Sequence, residues 1–232
     1  MHHVLPAGRA RLRLVAAALA AGILLAGAGC GGSDEPTTTA AATTAGIDPN
    51  AKPANPEPET GHWSYSGDTG PSHWGDLDPA YAACSAGQRQ SPIDVAAPKP
   101  AAFPGVAFRY QAEPYSISNT GHGIQLDATK SRSTIALDGT TYVLYQFHFH
   151  APSEHTLNGR THAMEMHIVH QSADGRAAVV AVFIDAGASN PAFDAITADL
   201  PKQKGQDVAL EGEIDAADLL PAGKSTVHRY TG

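Results

Sequence analysis

The chain has 232 residues, of which 42% are hydrophobic, and its 15 basic and 23 acidic residues give a formal charge of −8. That length and apolar content suit one globular domain with additions. The acidic balance argues against nucleic acid as a partner.

The first 29 residues read as an export signal. Arg9, Arg11 and Arg13 make a basic start, Leu14 to Ala28 an apolar stretch, and Gly29-Cys30 a small residue followed by cysteine. The stretch is too short and alanine-rich to be taken for a spanning helix. Cysteine at the cleavage point is the pattern of a bacterial lipoprotein signal, with Cys30 as the lipidated first mature residue. Gly27 departs from that pattern, which has a leucine-like residue there, and an ordinary secretory signal cut nearby is the alternative. The protein is therefore expected outside the cytoplasm, as an outward-facing lipoprotein of the cell membrane or as a secreted or periplasmic protein. Membrane contact is expected only through the N-terminal lipid anchor. Losing three arginines and no acids with the signal takes the charge to −11. Residues 30–60 are mostly Thr, Ala, Pro and Gly with almost no large apolar side chains, which predicts a disordered tether. As a flexible coil it reaches on the order of 30 Å.

Residues 61–232 read as a mainly β, α+β domain. Apolar or alternating runs recur at Val106 to Tyr110, Tyr115 to Asn119, Ile124 to Leu126, Ser133 to Leu137, Thr141 to Phe149, Met164 to His170 and Ala177 to Ile184. Asp138-Gly139, Asn158-Gly159 and Asp174-Gly175 supply turns. Helical signals are few: Asn190 to Leu200, opened by Asn-Pro, and a short turn at Asp215 to Leu219.

Two of these strands carry chemistry. In Gln146-Phe147-His148-Phe149-His150 the two histidines leave one face of a strand and the phenylalanines the other. In Glu165-Met166-His167-Ile168-Val169, Glu165 and His167 share a face opposite the methionine and isoleucine. One antiparallel pairing brings three imidazoles together. Three neutral histidines with an open fourth position are what a catalytic zinc requires. Gln146 and Glu165, each two residues before a candidate ligand and on its face, can accept that ligand's second ring N–H.

With these strands the chain resembles the α-class carbonic anhydrases from His62 to Gly232. The resemblance rests on His62-Trp63-Ser64-Tyr65, Gly70-Pro71-Ser72-His73-Trp74, Gln90-Ser91-Pro92-Ile93-Asp94, Asn119-Thr120-Gly121-His122, the Gln-Phe-His-Phe-His run, Ser153-Glu154-His155, Leu157-Asn158-Gly159, Glu165 to His170 and Asp174-Gly175. It implies a central, twisted, mostly antiparallel sheet with zinc in a conical cleft. It also implies reversible hydration of carbon dioxide to bicarbonate, by attack of zinc-bound hydroxide on a substrate held against Val169 and Val179. By resemblance the zinc ligands are His148, His150 and His167, and His122 is the proton shuttle, with Thr120 where the family has a second asparagine. Tyr65 orders the shuttle's waters. Glu154 is a buried acid that binds no metal and orients the attacking group through a threonine, and His155 is structural.

That threonine belongs to a Ser-Leu-Thr-Thr-Pro-Pro segment that follows the family's Tyr-x-Gly, whereas this sequence stops at Arg229-Tyr230-Thr231-Gly232. The resemblance therefore reads the domain as C-terminally incomplete, with Cys84 lacking its usual partner, and predicts lower stability and weaker activity. Two other readings stand beside the enzyme. One is a non-catalytic binding module on the same fold. The other is a cupin-type metalloenzyme, since His148-x-His150-x-x-x-Glu154 satisfies that fold's motif, although Tyr142 replaces its glycine and Glu165-x-His167 has no counterpart.

Overall fold

The computed structural model describes residues 62–96, 105–198, 200–222 and 227–232, together with the backbone of residues 14–17. Cys30, residues 30–60 and the rest of the leader lie outside them. The strands in chain order are β1 (Leu14–Ala17), β2 (Asp94–Val95), β3 (Ala107–Arg109), β4 (Ala112–Glu113), β5 (Tyr115–Asn119), β6 (Ile124–Ala128), β7 (Thr134–Leu137), β8 (Thr140–His150), β9 (Thr156–Leu157), β10 (Met164–Ser172), β11 (Ala177–Ile184), β12 (Asp207–Ala209) and β13 (Ile214–Asp215). Helix is confined to α1 (Trp74–Leu77), α2 (Ala82–Ala86), α3 (Pro191–Ala198) and a few 3₁₀ turns, one of them Ala216–Leu219. None of the helices among the described residues is long and apolar enough to cross a membrane.

One antiparallel sheet runs β1-β11-β10-β8-β6-β5-β12, with β7 beside the first half of β8 and β3 beside β7. Every strand longer than three residues, β1 apart, coincides with one of the predicted runs, because each is either an alternating run or, like β11, a continuous apolar one long enough to stand out. The Asp138-Gly139 turn between β7 and β8 has positive φ at both residues, 49° and 77°, as a tight two-residue hairpin demands. The hairpin from β10 to β11 closes at Asp174-Gly175, where the Gly175 N–H donates to Ser172 O.

The sheet's two faces do different work. One face builds the main core from Tyr115, Ile117, Leu126, Ile135, Tyr142, Leu144, Phe147, Phe149, Met166, Ile168, Val180 and Val182, closed over by Ile196, Leu219 and their neighbours. The other face carries the histidines and a smaller cluster of Val95, Ala181 and Phe183. Within β8 the buried positions change phase: Tyr142 and Leu144 are buried before Tyr145, Phe147 and Phe149 after it. The β8–β10 register slips by one residue at that point, between Val169 and His170. This bulge leaves the even-numbered His148 and His150 on the open face while the first half of β8 feeds the core.

Candidate metal centre

Strands β8 and β10 pair with His148 opposite His167 and His150 opposite Glu165, the pairing anticipated from the two motifs. One ligand nitrogen from each of His148, His150 and His167 falls within 4.8 Å of the others. The rings stand 4.7 to 5.2 Å apart between centroids. Among imidazoles this close, a charge on one raises the cost of a charge on the next. Burial first, and then the neighbouring His167 and His150, push the His148 pKa down to about 3. Burial is also the leading cause of the lowered pKa of His150, partly offset by Glu154.

Each ring has a partner that orients it. The His148 Nδ1–H donates to Gln146 Oε1 at 2.8 Å, as the sequence suggested. His150 uses an unanticipated partner: its Nδ1 lies 3.2 Å from the Tyr65 hydroxyl oxygen, whose own proton goes to Glu154 Oε1 at 2.7 Å. That donor order places the His150 proton on Nδ1 and leaves Nε2 as a bare lone pair, buried and without a hydrogen-bond partner. His167 turns Nε2 toward Glu165 Oε1 at 3.3 Å and Nδ1 toward Glu154 Oε2 at 3.7 Å.

Glu165 serves more than His167. Its Oε1 accepts the His155 Nδ1–H at 2.6 Å, and its Oε2 accepts the backbone N–H groups of Glu154 and His155, both at 2.9 Å. Burial alone would raise the Glu165 pKa, but the hydrogen bonds of His155 and His167 outweigh it and hold the carboxyl well below its usual range. His155, almost fully buried, then accepts from the Tyr230 hydroxyl at Nε2 over 2.6 Å, and Ser91 in turn contacts that hydroxyl. Tyr230 escaped the sequence reading because its only signal was the Tyr-x-Gly near the chain's end; nothing local ties it to His155, 75 residues away.

His122 sits in the turn between β5 and β6, where Gly121 takes φ 90° and its N–H donates to Asn119 Oδ1. Its half-buried ring stacks on Trp63 at 3.9 Å between centroids, with His62 edge-on at 5.8 Å. Val169 and Val179 are register partners on β10 and β11, half-buried on the face that carries His167. Cys84 in α2 is exposed and has no disulfide partner among the described residues.

A family model described as "Eukaryotic-type carbonic anhydrase" matches residues 69–232. A carbonic anhydrase of Klebsiella pneumoniae is 42% identical over 172 residues, covering 74% of this chain and 70% of that protein. One of Neisseria gonorrhoeae is 35% identical over 171 residues, covering 74% and 67%. Among solved structures, the α-carbonic anhydrase of Thermovibrio ammonificans in complex with the inhibitor sulfanilamide superimposes with a TM-score of 0.67 at 39% identity, covering 70% of this chain and 73% of that one. With its curled antiparallel sheet and clustered histidines, the chain belongs to the eukaryotic-type, or α-class, carbonic anhydrases and is an enzyme of that family.

Proposed function

We propose that this chain hydrates carbon dioxide reversibly to bicarbonate at a zinc ion held by His148, His150 and His167. Family membership supports carbon dioxide hydration in general. The observation that carries the zinc-dependent reading is the convergence of three imidazole nitrogens within 4.8 Å, one of them a buried lone pair with no hydrogen-bond partner. Such a donor set fits zinc, which takes neutral imidazole readily. Bound there, zinc supplies Lewis-acid activation of water at neutral pH.

The chain's own residues prepare that chemistry. Burial lowers the pKa of both His148 and His150, which favours the neutral rings and their free lone pairs. Gln146, Tyr65 and Glu165 fix which nitrogen of each ring faces inward. Val169 and Val179 offer carbon dioxide an apolar wall beside His167. His122, stacked on Trp63, carries the released proton toward solvent, a role that imidazole serves more readily than any other side chain. Export, with lipidation at Cys30, is proposed on the basic and apolar leader and its Gly29-Cys30 end.

The test is the carbon dioxide hydration rate of the zinc-loaded chain, with the His148→Ala variant as blank. A rate clearly above the blank supports the proposal. No excess rate from folded, zinc-bound protein would sink it in favour of the binding-module reading. The cupin-type alternative is not favoured, since it leaves Glu165 and His167 unexplained and the sheet is that of the carbonic anhydrases.

A further inference from the structure

We infer that Lys204 is a positioning residue for His122: its alkyl stem lies across the turn that carries the imidazole and holds the ring on Trp63. The inference deepens the reading of His122 as proton carrier and rests on it. The turn from β5 to β6 passes through Gly121, exposed and at φ 90°, a conformation that suits glycine and few other residues. With no side chain of its own, that peptide swings freely unless another segment restrains it. Lys204 supplies the restraint. A Cβ built on Gly121 would fall 2.6 Å from Lys204 Cδ and 3.0 Å from its Cγ and Cε, so the lysine stem fills the place where a side chain at 121 would begin.

The stem is presented by a loop that is fixed in turn. Residues 201–206, between α3 and β12, close on themselves: the Gln206 N–H donates to Gln203 O at 3.0 Å, and the Lys202 N–H to Gln206 Oε1 at 3.1 Å. Three hydrogen bonds tie this loop to Asn119 at the base of the turn. The Gly205 N–H donates to Asn119 O at 2.8 Å, the Asn119 N–H to Gln206 O at 3.1 Å, and Asn119 Nδ2 to Pro201 O at 3.1 Å. The same Asn119 side chain accepts the Gly121 N–H at 2.9 Å. Asn119 thus sets the base of the turn and Lys204 lies over its crest. A lysine packs through its methylenes while the ammonium stays in water, so the stem and not the charge does the positioning. A proton carrier depends on its geometry, and one that swings off Trp63 delivers protons more slowly.

Two variants separate the stem from the charge, because Lys204→Gly removes both and Lys204→Met keeps most of the stem. The first readout is proton NMR of the zinc-loaded full chain at one pH, with the His122 ring signals identified by their loss in His122→Ala. Stacking on Trp63 shifts these signals upfield. In Lys204→Gly they are expected at the position of an unstacked imidazole, and in Lys204→Met at that of the parent. The second readout is carbon dioxide hydration in a bulky buffer. There Lys204→Gly should lose about 10-fold in kcat, part of the 10²- to 10⁴-fold that a positioned proton carrier contributes. Its kcat/KM should stay unchanged, since the proton leaves after the product has formed, and added imidazole should restore kcat. Lys204→Met should keep the parent kcat. His122 signals that stay in place in Lys204→Gly, or a kcat equal to that of the parent, overturn the positioning role and leave the carrier reading intact. A His122→Ala variant that keeps the parent kcat in the same buffer overturns the carrier reading and the inference with it.

Discussion

Single side chains at this centre act through the proton they fix on a neighbour. Gln146 touches no candidate ligand atom, yet by accepting the His148 Nδ1–H it commits that ring to offering Nε2. Replacing Gln146 with leucine removes the acceptor and frees the ring to rotate and to change tautomer. Zinc affinity is expected to fall about 10- to 100-fold, read by competition with a chelator, while the unfolding midpoint of the metal-free chain stays close to its starting value. Unchanged affinity would show that packing alone orients His148. Tyr230→Phe tests the other end of the network. The ring still fills its place, but His155 Nε2 loses its donor in a nearly dry environment. An unmet buried acceptor costs about 1–3 kcal/mol, visible as a lower urea midpoint at constant slope. A midpoint equal to that of the parent would mean that water replaces the hydroxyl.

At the level of elements, β8 decides whether there is a site at all. Its bulge near Tyr145 lets one strand pack Tyr142 and Leu144 into the core and then turn Phe147 and Phe149 to the same side. His148 and His150 are thereby left on the cleft. Phe147 is fully buried against Tyr115 and Phe149. Phe147→Ala is expected to cost about 3–5 kcal/mol through lost transfer energy and the cavity left behind, measured by urea unfolding. A loss below about 1 kcal/mol would mean that β6 and β10 close over the gap. Much of this was legible beforehand. The two His-bearing motifs announce their pairing because a period of two puts chemistry and core on opposite faces, whereas the change of phase at Tyr145 was hidden, since Val143, Tyr145, Phe147 and Phe149 continue one apolar series through the bulge. The pairs β2–β9 and β4–β13 were not legible, since two residues set no period and their pairing depends on chain brought from far away. Nor was the link from Tyr65 to His150, which spans 85 residues. Tyr65 is half-exposed and gives no pattern of its own to mark it as a metal-site residue.

Burial lowers the pKa of His148, His150 and His170, and this shapes the molecule's response to acid. His170 is fully buried on the core side of β10, stacked on Tyr110, with Nε2 at the Tyr110 hydroxyl and Nδ1 near Ala178 O. Burial pushes its pKa down to about 4, against the smaller opposing effect of backbone carbonyls. β11 carries no charged side chain and β8 no ionisable carboxylate or amine, so burial governs the proton of His170. In the unfolded chain the same ring titrates near 6.5. Between those values the unfolded state binds a proton that the folded state refuses, so stability is complete above about pH 6.5 and falls as pH drops toward 4. The loss from His170 alone is on the order of 3 kcal/mol. His148, held still lower, acts in the same direction over a wider window, and Glu165 adds its own loss at lower pH because its folded pKa is depressed. Metal binding steepens the dependence for the loaded protein, since protons compete for the same imidazoles. Urea unfolding of the metal-free chain at pH 7.5, 6 and 5 should therefore show little change between 7.5 and the unfolded-state pKa, then a clear fall. His170→Gln should lose less on acidification than the parent, even though it starts less stable. A parent whose stability stays level down to pH 4.5 would mean that His170 takes up its proton in place, with the sheet opening locally around β10 to admit water.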